Sequence, residues 1–182
     1  MFRDYLAGKR KTYYKPVAFF ILMTIGYVLI RSLLNFDPLA KVSGYQNGDI
    51  DTALFVEAGR FMVQNINNIL FLFVFSLAVG LKVFFLKKYS LAEYVAVSFY
   101  LVGAYTVFTT LNLLFMKFVR TDIQYGGMLL MGIYFVYAMV SFFQKKKIVV
   151  AVKALFTYML ATILYALLGF GLSLLILFFK SM

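Results

Sequence analysis

Three ionisable residues stand inside or against long apolar runs of this sequence: Lys82 in "AVGLKVFF", Glu93 in "SLAEYVAV" and Lys153 in "VVAVKALF". A charge in hydrocarbon is expensive and marks a functional position by default. Glu93 facing Lys82 or Lys153 across a tight hairpin could form an intramembrane ion pair at an inner gate, or a pocket for a lipid headgroup. The plainer alternative is two snorkelling lysines and an acid near the headgroups. Hydroxyl groups make a second pattern. Tyr105, Thr109 and Asn112 share one helical face, as do Tyr134, Tyr137 and Ser141, and again Tyr158, Thr162 and Tyr165, each trio following i, i+3 or i+4, i+7. Three such stripes could meet in one polar seam. Interhelical hydrogen bonds worth about 0.6 kcal/mol each would close it; the alternative is a seam that lines a solute path.

What is missing narrows the chemistry further. The sequence has no cysteine and no histidine, which removes disulfides, thiol nucleophiles, imidazole bases and thiolate or imidazole metal sites together. A hydrolase or transferase needs a nucleophile beside a base, and the bases left are seven acids. Asp37, Asp49 and Asp51 do not follow the spacing of a calcium loop. The expectation is a protein that is not an enzyme and holds no cofactor or metal.

The stretch "GKRKTYYKP", residues 8 to 16, invites a phosphate-loop reading that its neighbours reject. Arg10 stands where Ser or Thr should follow Gly8 and Lys9, and Arg3 stands where the first glycine should be. A nucleic-acid patch is unnecessary, because topology already accounts for the cations. The stretch reads as an interfacial collar, in which Lys9, Arg10, Lys11 and Lys15 meet anionic headgroups at about 1 kcal/mol each. Tyr13 and Tyr14 belong to an aromatic belt. Pro16 suits the first turn of a helix, where its missing N–H costs nothing.

The elements that carry these residues follow from composition. The chain has 182 residues, 64% hydrophobic and 14% charged, against about 45–50% apolar and about 25% charged in soluble domains. Apolar runs long enough to span a bilayer fall at about 17–34, 68–85, 94–115, 127–143 and 149–179. With no ten-residue alternation to suggest a barrel, they read as helices. The first run is too long for a signal-peptide core and is expected to remain as an anchor. Cations sort by side. Arg3, Lys9, Arg10, Lys11 and Lys15, then Lys82, Lys87 and Lys88, then Lys145, Lys146, Lys147 and Lys153 fall on one side. Arg31, Lys41, Arg60, Lys117, Arg120 and Lys180 fall on the other, beside Asp37, Asp49, Asp51, Glu57 and Asp122. The positive-inside rule then predicts a cytoplasmic amino terminus and an external carboxyl terminus.

The fold expected is all-α: a basic interfacial segment over residues 1–16, then a five-span membrane domain over 17–182. In the one long connection, Glu57, Arg60, Gln64 and Asn67 oppose Leu54, Ala58, Phe61 and Ile66, which predicts an external amphipathic helix over 52–67. Ala96, Gly103 and Thr110, with Ala92 and Thr106 nearby, make a small-residue side on the third span, and Gly169 with Ser173 does the same on the fifth. Such residues let helices approach closely, so the third span is expected to be central, or to carry a homodimer seam.

The stretch "FRDYLAGKRKTYYKPVAFFIL", together with the acid that opens "SLAEYVAVSFY", resembles the membrane region of an uncharacterised bacterial family in which a zinc ribbon precedes a multi-span domain of unknown function. The resemblance covers residues 1 to about 35 well and Leu91 to Tyr100 loosely. It implies architecture and no chemistry: this sequence lacks the Cys-x-x-Cys ribbon, so no zinc function carries over. The expected role is a non-enzymatic scaffold or accessory subunit. Its partners would be anionic lipids at the cytoplasmic face and another membrane protein or a second copy, with no nucleic acid. A small channel or transporter-like protein, or a lipid-handling one, is the alternative.

Overall fold

The computed structural model describes residues 15–34, 57–62, 65–86, 88–119, 126–143 and 146–181. Every regular element among these residues is a helix: α1 (Pro16–Leu34), α2 (Ile66–Phe84), α3 (Leu91–Val119), α4 (Gly126–Phe143) and α5 (Lys147–Ser181), with a further helical piece over residues 57–62. Four of them, α1, α3, α4 and α5, are long and apolar enough to cross a membrane, and the apolar part of α2, Ile69–Phe84, is shorter.

Local sequence explains where these helices begin. Pro16 opens α1, and the first backbone bond runs from Phe19 N to Lys15 O at 2.9 Å, as a proline at the first helical position allows. At the start of α3, Ser90 Oγ and Ser90 N both donate to Glu93 Oε2, while Glu93 N donates back to Ser90 Oγ. This reciprocal capping box satisfies orphan N–H groups and fixes the start at Leu91, three residues before the apolar run alone would place it.

The helices alternate in direction along the chain, and specific contacts set the register. Gly103 meets Phe20 of α1, and Lys117 Nζ donates to Leu34 O at 3.4 Å; both pairs are 83 residues apart, so α1 and α3 run parallel. Along α2 and α5, Phe84 meets Lys153, Gly80 meets Thr157 and Ile69 meets Gly169, which is an antiparallel pairing. Thr109 of α3 meets Gly127 of α4, and Tyr158 of α5 bonds Met128 of α4, so these neighbours are antiparallel too. Pro16 and Ser181 therefore lie at opposite ends of the bundle.

Packing is uneven. Helix α3 touches α1, α2 and α4 and buries residues from Tyr94 to Met116. Helix α1 packs on α3 and buries Pro16 and Phe20. Close approach needs glycine at two places. A Cβ at Gly103 would lie 2.6 Å from the Phe19 ring, and one at Gly127 would lie 2.8 Å from Thr109 Cγ2 and 3.2 Å from its Cα. The small face of α3 expected at Gly103 and Thr106 is thus filled by α1 around Gly103, and Thr106 is buried. Helix α5, with 35 residues, is about 52 Å long at 1.5 Å per residue, well beyond the roughly 30 Å of a hydrocarbon core.

Candidate functional site

The end of α2, the start of α3, the end of α4 and the start of α5 meet at one end of the bundle, and the chemistry-bearing lysines gather there. A helix leaves its last carbonyls without intrahelical partners, with partial negative charge. Two lysines answer carbonyls here, one on the last residue of α2 and the others in the turn that follows it. Lys82 Nζ donates to Tyr89 O at 3.1 Å and to Leu86 O at 3.5 Å. Lys153 Nζ, from α5, donates to Phe84 O at 3.4 Å. Beside them Phe85 stacks on Phe143, with centroids 4.3 Å apart and planes 5° from parallel. Lys88 Nζ lies 4.6 Å from the Phe143 centroid and Lys153 Nζ lies 5.9 Å from that of Phe85, distances at which a ring face attracts a cation. Tyr94 Oη donates to Phe85 O at 2.7 Å. Rings and ammonium groups thus tie the α2–α3 hairpin to the α4–α5 hairpin.

Of the three residues expected to pair inside the membrane, Lys82 and Lys153 both reach the carbonyls around the end of α2, whereas Glu93 Oε2 is engaged by Ser90 in the cap of α3. The S-x-x-E spacing was the available signal for that role. Phe85, Tyr89 and Phe143 were not singled out by sequence, and Lys88 was named only as one of the cations of its side. Their signal is the placement of aromatics next to lysines where apolar runs end.

The hydroxyl stripes come together only in part. Phe73 of α2 is ringed by Tyr105, Tyr158 and Tyr165 at centroid distances of 6.0, 6.5 and 5.1 Å. Tyr158 Oη donates across to Met128 O at 2.9 Å. Thr109 Oγ1 donates to Tyr105 O and Thr106 O, and Thr162 Oγ1 to Tyr158 O, so these threonines bond within their own helices. Asn112 Nδ2 lies 3.5 Å from Met116 Sδ. The seam is narrower than the spacing suggests on α4: Tyr137 is 70% exposed and Ser141 is exposed, and Tyr134 packs on Phe108. The inward face of α4 is Met131, Phe135, Ala138, Met139 and Phe142 instead. Tyr165 Oη and Ser98 Oγ are buried, and among the described residues neither has a hydrogen-bond partner.

Of the basic collar, Lys15 is exposed just before α1, and Lys9, Arg10 and Lys11 lie outside the described residues. Of the predicted external helix, residues 57–62 are helical and Ala58 is fully buried; residues 52–56, 63 and 64 lie outside the described residues. A Cβ at Gly169 would lie 2.8 Å from Met62 Cε, so this piece packs on α5. Comparison with protein-family models, with curated proteins and with solved structures finds no match.

Proposed function

We propose that this chain is a five-span protein of a bacterial inner membrane, amino terminus inside and carboxyl terminus outside, acting as a non-enzymatic scaffold or accessory subunit that packs with other membrane proteins. Two features support the topology. The helices alternate in direction, and Lys15, Lys82, Lys88, Lys146, Lys147 and Lys153 share the bundle end where α1 and α5 begin. That is the cation bias expected of a cytoplasmic face. The resemblance in the first 35 or so residues supports placing the chain beside the uncharacterised zinc-ribbon membrane family, without its ribbon.

One observation carries the scaffold reading. The polar side chains of the interior are largely committed to packing, through bonds to their own helices or to a neighbouring carbonyl, while α1 rests on α3 and turns Ile21, Leu22, Ile25, Leu29 and Leu33 outward. In lipid such a face is available for side-by-side helix packing. A photo-crosslinking residue at Leu29 or Leu33, compared with one at Leu168 on α5, tests it. One protein adduct of defined size from α1 alone supports a partner face; lipid adducts from both positions equally refute it. The second reading, a small channel or transporter-like protein, is favoured by the buried Tyr165 hydroxyl beside Tyr105 and Phe73. Solute flux through reconstituted vesicles that falls with Tyr165→Phe would favour that reading over the scaffold.

A further inference from the structure

At the basic end, α2 and α5 expose an amphipathic seam. Its apolar part is built by Phe84 and Phe156, whose rings stack 6.4 Å apart, with Phe156 and the neighbouring Val83 about half exposed. Its polar part is Lys153, exposed, and held at the seam by donation to Phe84 O. That bond fixes the ammonium where the apolar surface stops, and a neutral carbonyl leaves the positive charge in place. Seven residues earlier, directly before the first residue of α5, stands Lys146, also exposed. Two cations at this spacing of about two turns, beside exposed rings, match a molecule with an anionic head and a hydrocarbon tail. A soluble anion would use the lysines and leave the rings unexplained.

We propose that this seam is a binding site for an acidic phospholipid, with its phosphate on Lys153 and Lys146 and one acyl chain along Phe84, Phe156 and Val83. Charge complementarity selects the head, and the exposed apolar surface of Phe156 and Val83 takes the tail. The site goes beyond the scaffold reading, takes up the sequence expectation of anionic lipids at the cytoplasmic face, and rests on the chain lying in a membrane. It differs from the amino-terminal collar, which would attract any anionic surface diffusely: here the lysine is positioned by another helix, so one lipid is retained.

The test uses the full chain, purified in mild detergent, with phosphatidylglycerol and phosphatidylcholine in competition and bound lipid counted by native mass spectrometry. The wild-type chain is expected to retain phosphatidylglycerol in preference. K153Q and K146Q should each lower that retention about fivefold, the ratio that about 1 kcal/mol per cation near an anionic lipid implies. Lys153→Arg should retain it within about twofold, since arginine keeps the charge, and Lys180→Gln at the other end of the bundle should change nothing. Equal retention of both lipids, or a K146Q/K153Q double variant that matches wild type, overturns the proposal. So does displacement of phosphatidylglycerol by millimolar glycerol phosphate, which would make this a site for free anions. Flotation of the same samples with vesicles separates the two levels. A wild-type chain that floats and shows no lipid preference loses the site and keeps the membrane, whereas one that does not float loses both.

Discussion

The basic end of the bundle and its tyrosine-ringed interior both keep polar groups among apolar ones, and they do so differently. At the end, the chain turns within a few residues, so carbonyls of α2 and the turn remain open, and Lys82, Lys153 and Tyr94 reach them. In the interior the helices are unbroken and carbonyls are already bonded. Thr109 and Thr162 share carbonyls of their own helices, Tyr158 crosses to the first turn of α4, and Tyr165 Oη finds nothing among the described residues. Polar groups at helix ends are matched by backbone that needs them. Those in mid-helix depend on what a neighbour can spare.

Breaking the interior should have the largest effect. Phe73 touches three tyrosine rings from two helices, so Phe73→Ala is expected to destabilise by about 3–5 kcal/mol, measured by denaturant unfolding in detergent. A loss nearer the value for an exposed site would mean that the tyrosines repack without it. Gly103→Ala comes next. Its methyl meets Phe19 at 2.6 Å, and overpacking of this kind costs about 1–3 kcal/mol. The damage should be confined to α1, seen as lost cross-linking between cysteines placed on α1 and α3 with α2–α5 contacts kept. Adding Phe19→Ala should restore the cross-link; no rescue would show that α1 is held elsewhere.

A pair of Tyr→Phe exchanges tests the comparison directly, because the same atom is removed from both regions. Tyr94→Phe loses a 2.7 Å bond to Phe85 O and should destabilise by about 1 kcal/mol. Tyr165→Phe removes a buried hydroxyl with no partner among the described residues. Because burying an unpaired polar group costs about 1–3 kcal/mol, that exchange should leave stability unchanged or raised. Opposite signs sharpen the contrast. Equal losses would mean that Tyr165 has a bridging water as good as a carbonyl, and the two regions would then differ in little.

The extents of the apolar helices were legible in the sequence, and which way each one faces was not. Hydropathy located α1, α4 and α5 to within a few residues, because in lipid a span must be apolar along its length. The same property erases the inward signal. On α4 the buried face, Met131, Phe135 and Met139, is no more apolar than the exposed Leu129 and Ile133. A shared stripe of Tyr134, Tyr137 and Ser141 could therefore be read, and its direction could not. Gly103 was legible as a close-approach point, but the partner it receives depends on the 83-residue register with α1, which no local pattern encodes. The lysine end was half legible. Lys82 and Lys153 stood out as charges in apolar runs, while the rings beside them are ordinary in a chain that is 20% aromatic.

Glu93 separates the two regions most finely. As a gate or ion-pair member, its charge would be its function, and Glu93→Gln would change transport or partner binding. As the third residue of a capping box, its oxygen geometry matters more, since glutamine fills the same position. Glu93→Gln should then shift stability by less than about 0.5 kcal/mol, while Glu93→Ala or Ser90→Ala should cost about 1 kcal/mol. Unfolding of the three variants side by side gives the order. If glutamine costs as much as alanine, the charge is what the start of α3 needs, and Glu93 belongs with the lysines around it instead of with the backbone it caps.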